Sequence, residues 1–342
     1  VITVREYAFK EVGSMCYEFS PICIDLEKIE DDQIIDIIKA EPFNILNSDY
    51  QNEIVRIADG NPRLAIMAAL LAKAEQNLFA LYDASALFEN YFSTFIMDKV
   101  ELTKDIYIQC LGLIAFFYTI PFKEKELTCE MLKGFGINYN DFIETIDILE
   151  KWELVEIQYD HVKIPEQNLS TYFFYKAFIK DNLLSFEFLL NNYFHSYTSR
   201  FRDCVIAANN TFGSQNVMDK LRPSLKKYFE SIKHNEEKLL TLLSTFWFYL
   251  QTEALEYLYD KIINLPTVDV TEYNTFYKDN EFAFNKNEII QLVGQFFTLT
   301  LPKLQDALEI AFEFVRRFPQ HLPELIHKIR ETILFDRHDE IT

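Results

Sequence analysis

The sequence predicts a mainly α-helical protein of two or three domains, on three observations. Of its 342 residues 49% are hydrophobic, with 32 Phe and 19 Tyr, which is apolar surface enough for several cores. Glycine occurs only 7 times and proline 10 times, too few turn residues for a sandwich of many short strands. Apolar runs that fit helices, joined by short connections, recur along the chain.

The first segment is the exception. Val1-Ile2-Thr3-Val4-Arg5 is a β-branched run closed by a charge, the pattern of a buried strand whose tip reaches the open. Helices follow. Ile34, Ile35, Ile37 and Ile38 predict one over Glu30 to Ala40, and Ser48-Asp49-Tyr50-Gln51 is a capping-box pattern opening another over Asp49 to Ala58. Gly60 ends that helix, and Asn61-Pro62-Arg63 begins the next. The fixed φ of proline suits a first helical turn, its missing N–H costs nothing there, and the glycine lets the backbone bend beforehand. Helices are expected to continue to about Lys99.

From Thr103 to Phe178 the pattern is three helices and two short strands. Asp105 to Tyr118 is strongly apolar and Glu124 to Lys133 amphipathic, and Asn140 reads as the N-cap of Asp141 to Trp152. Leu154 to Ile157 and His161 to Ile164, separated by Gln158-Tyr159-Asp160, read as a hairpin, so the block predicts a winged helix. Its third helix would present Asp141, Glu144, Asp147, Glu150 and Glu153 to solvent, where a DNA-reading helix must approach phosphates.

The remainder reads as helical. Apolar runs span Leu183 to Phe194, Leu239 to Leu250 and Ala254 to Ile263, with turns near Pro266, Pro302, Pro319 and Pro323. Ile289 to Ile333 suggests stacked helical pairs without a strict repeat period. Thr267 to Asn287 is expected to form a long loop, whose Tyr273, Phe276 and Tyr277 are the rings most expected to be exposed. Trp247, Tyr249, Tyr257 and Tyr259, at helical spacing, are expected to be mostly core.

The net charge of −20, from 53 acids and 33 bases, opposes nonspecific binding of phosphate backbones. The mildest exception is the run holding Arg200, Arg202, Lys220, Arg222, Lys226 and Lys227, whose ordinary reading is a solvated helix face. Five scattered cysteines form neither a disulfide framework nor a metal knuckle and point to free thiols in a reducing, cytoplasmic compartment. No apolar stretch reaches about 18 uncharged residues, so no membrane partner is expected. His321 and His327 stand six apart, off the spacing that sets two metal ligands on one helix face, and no metal site is predicted. Glu253 and Glu256 read as ordinary solvated acids.

Three segments, in this order and at these distances, resemble the signal-transducing ATPases with numerous domains, the STAND family of P-loop NTPases. Val1 to Arg5 looks like the family's sensor strand, Gly60-Asn61-Pro62-Arg63 like its GxP turn, and Val162 to Phe173 like the end of its winged helix. The resemblance implies a remnant of an α/β nucleotide-binding core at 1–25, a helical lid at 26–100, a winged helix at 101–179 and a solenoid-like helical sensor at 180–342. It implies nucleotide contacts from Arg5, Gly60, Asn61, Pro62 and Arg63. Gln167 stands beside Glu166 where many relatives carry a phosphate-contacting histidine; a carboxylate there would repel phosphate, whereas the amide can donate. No G-x-x-x-x-G-K-[ST] loop exists among the seven glycines, so no catalytic residue is assigned.

On this resemblance the chain is the C-terminal part of a larger protein, without ATP turnover or a cofactor of its own. ATP or ADP with Mg is expected for the parent, together with N-terminal NTPase and effector domains, a protein trigger on the helical region and an oligomer on activation. The function implied is a nucleotide-dependent switch in prokaryotic, often anti-phage, defence or signalling. The alternative is a non-enzymatic helical scaffold that binds proteins.

Overall fold

A computed structural model describes residues 29–58, 60, 62–76, 78, 81, 105–152, 154–165, 167–266, 287–297 and 302–332, the side chains of Arg63 and Glu75 excepted. The chain divides into two units, 1–98 and 99–342. As the composition predicts, the described residues are mainly helical, with one two-stranded sheet.

In the first unit, α1 (Asp31–Lys39), α2 (Ser48–Ala58) and α3 (Pro62–Glu75) pack on one another. Ile34 and Ile38, one turn apart, form the buried stripe of α1, and Ile54 and Ala58 that of α2. The buried side of α3 is built largely of Ala65, Ala68, Ala69 and Ala72, whose small size lets neighbouring helices approach. The capping box expected at Ser48 is not formed. Asn47 accepts from the N–H of Asp49 at 2.8 Å and of Tyr50 at 3.4 Å, and the Gln51 amide donates to the Ile45 carbonyl at 2.7 Å. An asparagine one residue upstream has the shorter reach to the same orphan donors.

The second unit is built around α4 (Asp105–Phe117), whose residues Cys110 to Phe117 are all buried. α5 (Lys125–Leu132) and α6 (Tyr139–Lys151) precede the hairpin of β1 (Glu156–Gln158) and β2 (His161–Lys163), paired Ile157 to Val162. Ile120 exchanges two hydrogen bonds of 3.0 Å with Val162, tying the hairpin to the end of α4. The N-cap of α6 is Asn138 rather than Asn140. Its backbone is extended and its side chain accepts from the Asp141 N–H at 2.9 Å, which leaves Asn140 inside the first turn. Asp141, Glu144, Asp147 and Glu150 line the exposed face of α6, and Glu153 lies outside the described residues.

α7 (Gln167–Tyr175) runs along α4 and continues into a π-helical turn, Lys176–Lys180. The approach is close at Gly112, where a Cβ would stand 2.4 Å from that of Ala177. Phe116, fully buried, meets the rings of Phe117, Phe174, Phe178, Tyr197 and Phe201 at centroid distances from 4.8 to 6.5 Å. Edge-to-face pairs within that cluster add specific geometry to its hydrophobic burial.

Helices α8 (Phe186–Tyr193), α9 (Thr198–Phe212), α10 (Ser214–Ile232), α11 (Glu236–Phe246) and α12 (Gln251–Ile263) follow, α9 on α10 and α10 on α11. Then come α13 (Glu288–Val293), α14 (Leu304–Arg317) and α15 (Leu322–Thr332), each touching the other two. The buried Glu324 carboxylate of α15 accepts from the Asn287 N–H at 2.9 Å and the Gln291 amide at 3.0 Å. Among the described residues no helix is long and apolar enough to cross a membrane. The expected loop at Thr267 to Asn287, with Tyr273, Phe276 and Tyr277, lies outside the described residues except for Asn287.

Candidate functional site

The turn between α2 and α3 joins two of the predicted site residues. Gly60 has φ 75°, the left-handed region that a side chain disfavours, and its carbonyl accepts from the Ile29 N–H at 3.2 Å. That bond ties the approach to α1 to the start of α3. Pro62 opens α3 and is half-buried, so part of its ring can offer a flat apolar contact but no charge. Arg63 follows in the first turn. Arg5 and Asn61 lie outside the described residues. Gln167 belongs to the second unit, where it is the exposed first residue of α7; Glu166 lies outside the described residues.

Most of the basic run from Arg200 is engaged within the fold. Arg200 on α9 donates from Nε to the Phe116 carbonyl at 2.9 Å and from Nη2 to the Ala115 carbonyl at 2.8 Å. It thereby satisfies carbonyls left open at the end of α4, with its guanidinium 5.3 Å from the Tyr118 ring centroid. Arg222 donates to the Tyr249 carbonyl at 3.1 Å, Lys226 pairs with Glu253 at 2.7 Å, and Lys227 pairs with Glu187 at 2.5 Å. Glu253 is therefore not the solvated acid its sequence context predicts. Burial pushes its carboxyl up, Lys226 and Arg222 outweigh that, and the pKa ends below the ordinary carboxylate value.

The described cysteines include two buried thiols. Burial raises Cys110 to about 12 and Cys204 to about 11, which keeps both protonated and unreactive near neutrality. Cys129 is exposed. His321 stacks on Phe314 and faces Glu324 at 3.6 Å, whereas His327 pairs with Glu331 at 3.0 Å, so the two histidines have separate partners. Among the described residues no cluster of three or more His, Cys, Asp or Glu side chains could hold a metal ion.

A groove of about 910 Å³ lies between α12 and α14. Leu255, Ile262 and Ile310 are buried in its floor, while Tyr259 and Ile263 stand 52% and 46% exposed. Tyr259 departs from the expectation that this aromatic stripe is mostly core, whereas Tyr249 meets it at 6% exposure. The period of α12 explains the difference. Ala254, Leu255, Leu258 and Ile262 fill its buried face, and Tyr259 falls outside that arc. Arg316 and Arg317 each reach Glu313 at 2.8 Å, and their hydrogen bonds hold its carboxyl down at about 2.

The described residues thus define a mainly helical protein with one hairpin, a glycine-proline turn opening one helix and an open groove between two others. Comparison of the chain with family models, curated proteins and solved structures returned no match.

Proposed function

We propose that this chain is the regulatory and sensor portion of a STAND NTPase, a nucleotide-dependent switch serving prokaryotic defence or signalling. The observation that carries the reading is the order of its parts. A three-helix block with a left-handed Gly60 turn leading into Pro62 is followed by three helices and a hairpin, and then by a helical region in which several helices pack on their sequence neighbours. In this reading residues 26–100 form the lid, 101–179 a winged helix and 180–342 the solenoid-like sensor.

The groups have fitting chemistry. Pro62 would set its ring against an adenine, Arg5 would place a forked cation against a terminal phosphate, and the exposed Gln167 amide would donate to phosphate oxygen. The acidic face of α6 makes the winged helix a packing module rather than a DNA reader. A protein bound to the helical region would release the nucleotide-held state and permit oligomerisation.

The test is made in the parent protein, with the reading frame upstream of Val1 included. It should contain a phosphate loop and retain ADP through purification, and Arg5→Ala or Pro62→Ala should weaken nucleotide affinity about tenfold, roughly 1.4 kcal/mol, by calorimetry. The chain of residues 1–342 alone should show no ATP turnover above background. Turnover by the isolated chain would sink the reading of a truncated NTPase, and an upstream frame without a phosphate loop would leave the non-enzymatic scaffold reading, which the open groove between α12 and α14 independently favours.

A further inference from the structure

The walls of the α12–α14 groove differ in kind from its floor. Tyr259 and Ile263 are large apolar side chains held about half open beside a buried apolar floor, so a partner that covered them would recover hydration free energy. The rim carries a sign. Lys303 is tied to Asp306 at 3.3 Å, and Arg316 and Arg317 share Glu313, so the lining sets five carboxylates, Glu256, Asp260, Asp306, Glu309 and Glu313, against three cations. Glu256 and Asp260, exposed and one turn apart on α12, pair with no cation among the described residues. Opposite them on α14 stands the exposed Glu309, held by the Gln305 amide at 3.0 Å. The net charge around the apolar floor is therefore negative.

We propose that this groove docks a basic amphipathic helix of a partner protein. The partner's apolar stripe would lie on Tyr259 and Ile263, and its lysines or arginines would reach Glu256, Asp260 and Glu309. The 13 residues of α12 span about 20 Å, a length that between three and four turns of a partner helix would match. The proposal deepens the reading of the C-terminal helices as a recognition surface by naming the chemistry of what they recognise. It is independent of any nucleotide.

Fluorescence anisotropy with the whole chain tests it, using a labelled peptide of leucine and lysine, about 18 residues long, patterned as an amphipathic helix. Saturable binding should weaken at least about tenfold with Ile263→Asp and with the pair Glu256→Lys and Asp260→Lys, and the charge-reversed pair should prefer the matching leucine and glutamate peptide. A scrambled peptide of the same composition should bind at least about tenfold more weakly, because it keeps the charge and loses the stripe. Equal binding of patterned and scrambled peptides, or binding unchanged by either variant, overturns the proposal and leaves only long-range attraction by a chain of net charge −20. A concentration-dependent dimer in sedimentation, abolished by Ile263→Asp, would assign the groove to a second copy and likewise overturn it. Thermal melts establish that each variant folds; should Ile263→Asp fail, the two exposed carboxylates still decide the outcome. Absence of saturable peptide binding by the unaltered chain, with nucleotide retention intact in the parent, removes the groove proposal alone, and saturable binding without nucleotide retention removes the switch reading alone.

Discussion

Arg200 shows how much a single side chain can bind together. Its guanidinium serves two carbonyls at the end of α4, so Arg200→Ala leaves both acceptors without that donor in a part-buried place. The expected loss is about 2–3 kcal/mol, the range for hydrogen bonds to a charged group, read by urea denaturation. Arg200→Lys should recover little, because an ammonium cannot present the same fork. Glu253 makes a signed prediction. Its folded pKa is depressed, so its stabilisation is present above the unfolded value of about 4.3 and is lost as pH falls through the folded value. Glu253→Gln should therefore destabilise the protein at pH 7, and the gap from the parent should close under acid denaturing conditions. Neither role was legible in the sequence. Arg200 and its acceptor Phe116 are 84 residues apart, and only tertiary placement distinguishes a cation that faces water from one that faces carbonyls.

At the scale of elements, the contact between α4 and the π turn is the most sensitive to volume. Gly112→Ala would ordinarily favour a helix by about 1 kcal/mol. Here the added Cβ would stand 2.4 Å from the Cβ of Ala177, and overpacking of about 1–3 kcal/mol should reverse the sign. Thermal unfolding should show Gly112→Ala destabilised and the double variant with Ala177→Gly restored toward the parent. Helix identity was readable from apolar spacing, as in α1 with Ile34 and Ile38. Helix starts were less so. Asn138 and Asn140 are both competent caps, as are Asn47 and Ser48, and the choice falls on Asn138, whose backbone is extended ahead of the first turn, and on Asn47, whose side chain accepts from the Asp49 N–H. The groove was hidden for a related reason, since the phase of α12 that exposes Tyr259 depends on which neighbour it packs against.

For the whole molecule, charge is the dominant long-range property. The cations of the Arg200–Lys227 run are largely paired or capping, and the exposed face of α6 is acidic. Duplex DNA should therefore not be retained in a mobility-shift assay at physiological salt, and lowering the salt should not produce the steep gain expected of counterion release. The candidate nucleotide groups were the least decidable part. The need for glycine at 60 is visible in its backbone, whereas Pro62 and Gln167 fall in different units, so no local pattern in the sequence relates them.

The π turn takes up one surplus residue at the end of α7. Its bonds include the Asp181 N–H to the Lys176 carbonyl, five residues back, so the turn holds one residue more than a regular α-turn. Deleting one residue between Lys176 and Lys180 would let the segment close as regular α-helix while the chain at Asp181 keeps about the same angle to α7, because the wide turn and the regular one each complete about one revolution. The partners of Phe178 would be reset, while the exit of the chain toward α8 would be kept. The surplus codon is slack stored at a helix end, and its removal would be felt locally rather than across the C-terminal half.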